Sequence, residues 1–347
     1  MSCYKNILLP LVALIIFASC EHNVITETTV HPDGQLEKVI TLEFDSTKSI
    51  NRNIFLIGDG WDFERIIQEQ NTPLDSAKSR MMFNRFTRKF ESAEQANIVL
   101  AQPSDTLFQI TSRFEKKFRW FYTYIHYAET FHALNRMNLK PEDYLTPEDY
   151  AFIDRLPAEG KQISKADNFY LDQLNNRIFD IYGTKAFYEE YFELTLKLLE
   201  ENKLESRWSD TLKVHKEDIF EILENKKDLE DDFMLHVLDS LRIPVDVNKV
   251  RSQYHEINKA FEAKVNFITT AHDGKYVNRI NLPWDVVNSN ADSVSGNSLF
   301  WAPPTIKFLL KDYTMYGECR KLNWWAMIVS VLIIGFTGYL FLRKRTS

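Results

Sequence analysis

Residues 282–301 read LPWDVVNSNADSVSGNSLFW, and their folding decides whether the strands of this chain belong to one β-domain. Val286 and Val287 end one apolar run, Asn288–Gly296 make a polar connection, and Leu299–Trp301 begin a return. Asn and Asp bond their own backbone and accept unusual turn dihedrals, so no ligand is needed to explain them. The segment reads as strand, turn and strand. Asn290 and Asp292 are kept as candidate contacts for a ligand or partner.

Upstream, strand-like runs come first. Residues 23–44 hold two β-rich runs around HPDGQ, where Asp33-Gly34 supplies a turn with positive φ. NIFLI at 53–57 reads as a short buried strand ended by GDGW. Residues 79–90 place Met81, Met82, Phe86 and Phe90 among basic residues, a pattern that suits an amphipathic helix. Residues 107–131 are the densest aromatic tract. Its spacing of Phe114, Phe118, Trp120, Tyr122 and Tyr124 is nearer two than 3.6, which predicts one or two long strands. Phe118, Trp120, Tyr122, Tyr124 and His126 make that tract a candidate ligand or partner surface.

From 141 the character changes. Thr146 is an N-cap, Pro147 fits the first helical position, and Glu148 and Asp149 suit the first turn. Further helices are expected at about 163–182, 184–204, 215–240 and 247–270, separated in the last case by Pro244. Roughly 130 residues are enough for a small core of their own. Strands return at 282–287, 297–301 and 306–314. The expected fold class is therefore α+β. A discontinuous antiparallel β-domain, residues 20–140 and 273–322, is interrupted by a large helical insertion at 141–272 and followed by one C-terminal transmembrane helix.

The two ends carry the location. MSCYKNILLPLVALIIFASC at 1–20 has Lys5, an apolar run from Ile7 to Phe17 and small residues before a cysteine, the pattern of a signal peptide over 1–19. Trp324–Leu342 is uncharged, and its nineteen residues at 1.5 Å each give roughly 28 Å, the thickness of a hydrocarbon core. A transmembrane helix is expected over 323–343, with Trp324 and Trp325 at one interface. Arg343, Lys344 and Arg345 then lead a cytoplasmic tail whose last residues are 344–347.

Three resemblances follow from these motifs. Phe17-Ala18-Ser19-Cys20 resembles the lipobox of bacterial lipoproteins, with Phe in place of the usual Leu. That resemblance implies lipidation at Cys20, with a diacylglyceryl thioether and an N-acyl chain such as palmitate. LPWDVVNSNADSVSGNSLFW resembles the C-terminal signature of the LppM-like family of small bacterial membrane-associated domains, through Pro283, Asn290, Ala291, Gly296 and Trp301. Trp284 stands where that family carries a glycine after the proline. KFLLKDYTMYGECRKLNWW, residues 307–325, resembles the juxtamembrane strand and linker of large exported proteins of Bacteroidota. These resemblances imply an architecture and a place, the periplasmic side of the bacterial inner membrane, and no reaction.

Charge and composition narrow the partners. The chain carries −7. Removing Lys5 with the signal gives −8, and assigning the three terminal basic residues to the cytoplasm gives −11 for the exported part. That balance argues against nucleic acid and anionic lipid surfaces as main partners, and the expected partners are membrane lipids, through the anchors, and an envelope protein. With Cys3 lost and Cys20 lipidated, Cys319 has no intramolecular partner, so a disulfide framework and a thiolate metal site are excluded.

No cofactor or metal is expected. Among eight histidines there is no HExxH pair, and His126, Glu129 and His132 would share a face only on a helix. On a strand, Glu129 faces away from both. Gly58-Asp59-Gly60 lacks GxGxxG and Walker contexts, and Asp59, Asp62 and Glu64 read as a solvated turn. Arg113, Lys116, Lys117 and Arg119 are expected to pair with carboxylates of the insertion or to touch headgroups. Three functions stay open: a non-enzymatic interaction or structural module, a module binding a lipid or other apolar ligand beside the aromatic tract, and a hydrolase with a non-standard site. A hydrophobic cavity beside residues 114–127 would favour the second.

Overall fold

A computed structural model of the chain describes residues 22–44, 54–69, 80–225, 233–245 and 247–346. The expected signal peptide and Cys20 lie outside these residues. Two sheets face each other. The larger contains β1 (His22–Val30), β2 (Leu36–Phe44), β3 (Asp62–Glu69), β4 (Arg80–Phe90), β7 (Gly274–Asn281), β9 (Ser293–Ser295) and β10 (Ser298–Trp301), in the order β3-β4-β2-β1-β7-β10-β9. The smaller contains β5 (Ile110–Phe118), β6 (Tyr122–Phe131), β8 (Asp285–Ser289) and β11 (Tyr313–Leu322), in the order β5-β6-β11-β8.

The β1–β2 hairpin forms as its alternation requires, with Val24 opposite Leu42 and Val30 opposite Leu36. Gly34 supplies the turn at φ +98°. The β-structure is discontinuous in sequence, but it is not wholly antiparallel. β1 pairs β7 in parallel, His22 opposite Gly274 through Thr29 opposite Asn281. A parallel neighbour requires a long crossover, and the chain between β2 and β7 provides it.

Several local expectations give way to long-range pairing. Residues 80–90 form strand β4 rather than a helix, because β4 is hydrogen-bonded on both sides, to β2 and to β3. Phe86 meets Phe63 across that pair at 5.4 Å between ring centroids. Ile54 and Phe55 are buried as expected of NIFLI, but they form no strand. Residues 306–309 are a short helix, and the final strand begins only at Tyr313.

The opening segment also departs from a simple hairpin. β8 joins the smaller sheet through β11, whereas β9 and β10 lie in the larger sheet. Residues 282–301 therefore cross from one sheet to the other and back. At the crossing the sheets come close: a Cβ on Gly317 of β11 would lie 2.9 Å from Leu282 Cδ1 and closer still to Leu299 Cδ1.

The helical region packs in two parts. A short helix, α1 (Ala93–Leu100), first covers β5. After β6 come α2 (Pro147–Arg155), α3 (Lys165–Asn175), a π-helical stretch (Asn176–Gly183), α4 (Thr184–Glu201), α5 (Ser206–Val214), α6 (Lys216–Asn225), α7 (Phe233–Ser240) and α8 (Val247–His272). At the start of α2, Thr146 and Asp149 form a reciprocal capping box. Phe152, Ile153, Leu174, Ile178 and Ala271 belong to the core shared with the sheets. Only the stretch from Tyr188 to Tyr254 builds a separate core, around Phe192, Leu212, Met234 and Leu238. The insertion is thus half sheet-bound and half an independent lobe, since α2, α3 and the end of α8 cover the sandwich. The short helix Ile306–Leu309 is α9, and β11 leads into α10 (Trp324–Thr346).

Candidate functional site

Leu322 ends β11 and Trp324 begins α10, leaving Asn323 alone between strand and helix. Trp324–Lys344 has mean hydropathy 2.1 and makes a helix long and apolar enough to cross a membrane, with little of it covered by the rest of the chain. Asn323 locks its base. Its Oδ1 accepts from Thr123 Oγ1 at 2.9 Å, its Nδ2 donates to the carbonyls of Arg119 and Trp120, and its backbone N–H donates to Phe121 O at 2.8 Å. The loop of the β5–β6 hairpin is thereby fixed against the helix.

Aromatic contacts extend that junction. Phe118 stacks on Trp325 with 6.0 Å between centroids, and Trp120 meets Trp325 edge-on at 5.5 Å. Trp120 Nε1 donates to Ser330 Oγ at 2.8 Å. Phe118, Trp120 and Phe121 nevertheless stay 56, 45 and 43 % exposed. Replacing Asn323 by Ala removes three side-chain hydrogen bonds at a nearly buried site, at a cost of about 1–3 kcal/mol. Hydrogen exchange on the full chain in detergent should show faster amides at 119–123 and 323–327, with the lobe at 188–254 unchanged.

Above this junction, the outer face of the smaller sheet carries Tyr122, Tyr124 and His126 on β6. Cross-strand register sets Lys117 and Arg320 on either side of Tyr124, and Glu115 and Glu318 on either side of His126. Arg320 lies over the Tyr122 ring at 4.7 Å. An open depression of about 670 Å³ is lined by Arg113, Glu115, Lys117, Arg119, Tyr124, His126 and Glu318. Its lining is charged, so it is not the hydrophobic cavity that an apolar ligand requires. Among the described residues, Arg113 and Lys117 pair with Glu115 and Lys116 donates to Pro32 O, so these three find their partners within the β-structure and not in the insertion.

The inner face of the same strands is closed. Ile125, Tyr127, Glu129 and Phe131 are buried between the sheets. Glu129 forms an ion pair with Lys38 of β2 at 2.6 Å, with side-chain exposures of 2 and 3 %. Its other oxygen accepts from Thr28 Oγ1 and Tyr127 OH, and Tyr127 OH also lies 3.1 Å from Ser112 Oγ. Burial drives the Tyr127 hydroxyl far above its ordinary pKa, aided by the Glu129 charge. This network joins the sheets and has no path to substrate. As expected of a strand, Glu129 points inward while His126 faces Tyr316 on the outside; His132 bonds Asp312 and Thr111. Among the described residues no group of acidic, His and Cys side chains is placed to hold a metal.

Asn290 and Asp292 turn out to bond the backbone. Asn290 Nδ2 donates to Thr314 O, its Oδ1 accepts from Tyr316 N, and its carbonyl accepts from Trp301 Nε1 at 3.0 Å. Asp292 Oδ2 accepts from Ala302 N at 2.8 Å. Gly58–Gly60 forms an exposed turn, with Gly60 at φ +85° and Asp59 O accepting from Arg88. Cys319 is fully buried, and burial pushes its thiol up to about 11, so it is no nucleophile at neutral pH.

Asn323, Ser330, Lys38 and Arg320 were not singled out by the sequence. The lone signal for Asn323 was its position, one polar residue between a strand and the Trp-Trp of the helix. No family model matches the chain, and no curated protein matches it. Among solved structures, the NMR structure of the folded domain of Mycobacterium tuberculosis LppM aligns over 87 % of this chain and 91 % of that one, at 7 % identity and a TM-score of 0.26. So distant a likeness carries no argument about activity.

Proposed function

We propose that this is a non-enzymatic, membrane-anchored envelope protein whose helical lobe binds another envelope protein. The observation that carries the reading is the rigid junction at Asn323, which makes α10 a fixed extension of the sheet rather than a tether. The proposed location is the inner membrane, with α10 spanning it, Arg343–Arg345 in the cytoplasm and the β-sandwich in the periplasm. Thr111, His132 and Asp312 are hydrogen-bonded in line, at 3.2 and 2.9 Å, but none of them lines the depression on the outer face of the sheet. The charged lining of the outer depression speaks against an apolar ligand there.

Position in the fold supports the role of the lobe. The span leaves from Leu322, which pairs with Tyr122 at one end of β6, and the helical region leaves from Phe131 at the other. Ten residues at about 3.3 Å each separate those ends by roughly 30 Å. β1 begins at the far end too, because His22 pairs Gly274 just after α8. Two residues reach at most about 7 Å. A lipid on Cys20 and a span from Trp324 therefore share one bilayer only when the strands lie along its surface. With α10 as sole anchor, the sandwich can stand upright and raise the lobe.

A photocrosslinking amino acid at Val214 or Ile222, exposed apolar positions of the lobe, tests the reading in cells. Capture of the same envelope protein from both positions is expected. Recovery of no protein adduct from either overturns it. Mass analysis of the N-terminal peptide reads Cys20 acylation directly.

A further inference from the structure

We infer that the tip of the β5–β6 hairpin, Phe118 to Phe121, is a second membrane contact that enters the bilayer interface beside α10. This rests on the proposal that α10 spans the membrane.

Depth is set by Ser330. It lies six positions after Trp324, which at 1.5 Å per residue is roughly 9 Å along the helix axis. Trp120 donates its indole N–H to the Ser330 hydroxyl, so the Trp120 ring lies beside the helix at a level the lipid also occupies. An indole suits that level, because it has a large apolar ring and one donor to satisfy. Here the donor is satisfied by protein rather than by water or a headgroup, which allows the ring to sit deeper.

Exposure and charge agree. Phe118, Trp120 and Phe121 are three large apolar side chains left about half uncovered at one hairpin end. Such a cluster beside a lipid-facing helix is continuous with the lipid-facing surface, and lipid is the occupant it fits. Cations stand at the tip and just above it. Arg119 lies within the tip, exposed, where its long stem can carry the charge up to the headgroups. Lys321 is level with Phe118, since both pair with Thr123, and Lys117 and Arg320 flank Tyr124, so positive charge lies at the level expected of headgroup phosphates. Asn323 holds the hairpin and helix together, and the tip cannot withdraw without breaking that clamp.

The test uses the full chain reconstituted in phosphatidylcholine vesicles, with benzoylphenylalanine at one position at a time. Positions are Phe121 at the tip, Leu332 in α10, and Ile98 on α1, whose neighbour Asn97 bonds Ser112 near the far end of β5. Lipid adducts are expected at 121 and 332, with those at 121 at least several-fold above those at 98. No adduct at 121, or no more than at 98, while 332 reacts, overturns the hairpin contact and leaves the span intact. Failure at 332 overturns the spanning reading, and with it this inference.

Discussion

Lys38→Met should destabilise the β-sandwich by about 3–5 kcal/mol, the cost of leaving a buried charge without its partner. Lys38 and Glu129 are both nearly inaccessible, and they link β2 of one sheet to β6 of the other. Thr28 and Tyr127 supply hydrogen bonds to the carboxylate that survive the substitution, but they carry no compensating charge. Lys38→Met combined with Glu129→Leu should recover most of the loss. Tyr127 keeps a contact with Ser112 in that variant, and Thr28 is left as the hydroxyl without its acceptor, worth about 1 kcal/mol. Urea unfolding of the detergent-solubilised chain measures both. Hydrogen exchange should show the separate core at 188–254 protected in each variant, because no member of the network lies in it. A single variant within 1 kcal/mol of the unmodified chain would show that the pair is dispensable.

The same pair gives a pH dependence. Burial raises the Glu129 carboxyl, but the Lys38 charge and hydrogen bonds from Lys38, Thr28 and Tyr127 outweigh it and leave it below its ordinary value. A carboxyl depressed in the folded state stabilises fully above the ordinary glutamate range, and that contribution is lost as pH falls through the depressed value. Stability should therefore fall on the acid side, beginning below the ordinary range. Glu129→Gln, less stable at neutral pH, should show a shallower fall.

What was legible in the sequence was local. Alternation and Asp33-Gly34 located the first hairpin, Thr146 and Asp149 located a helix start, and Trp324–Leu342 located the long apolar helix. What was not legible depends on partners far along the chain. β4 looks helical because Met82, Phe86 and Phe90 recur every four residues, and only pairing with β2 and β3 makes it a strand. Parallel pairing of β1 with β7 joins Thr26 to Asn278, a contact no window of residues contains. At the candidate site, the exposed aromatics were visible as residues, whereas their purpose was not. Phe118 and Trp120 acquire one only when Asn323, Trp325 and Ser330 are brought beside them. Glu129 was correctly turned inward by strand alternation, but nothing local pointed to Lys38.

Trp301→Ala should cost about 3–5 kcal/mol, and Trp301→Phe distinctly less, so that the difference separates packing from a polar link between the sheets. Trp301 is buried at the end of β10, opposite Asn278 of β7. Its indole N–H reaches out of the larger sheet to Asn290 O at 3.0 Å and Asn290 Oδ1 at 3.2 Å. Asn290 continues the connection into the smaller sheet, where it exchanges hydrogen bonds with Tyr316 and bonds Thr314 O. Phenylalanine keeps most of the ring volume and loses the donor together with one edge of the indole, the lost hydrogen bond costing about 1–2 kcal/mol. Asn290→Ala removes the bonds of the Asn290 side chain to Thr314, Tyr316 and Trp301 while leaving the Trp301 ring in place. If the link matters as geometry indicates, Asn290→Ala and Trp301→Phe should be less than additive, since Trp301 and Asn290 share the bond. Full additivity in urea unfolding would mean that the bond to Asn290 Oδ1 contributes nothing, and that the indole N–H acts through Asn290 O alone, which Asn290→Ala leaves in place.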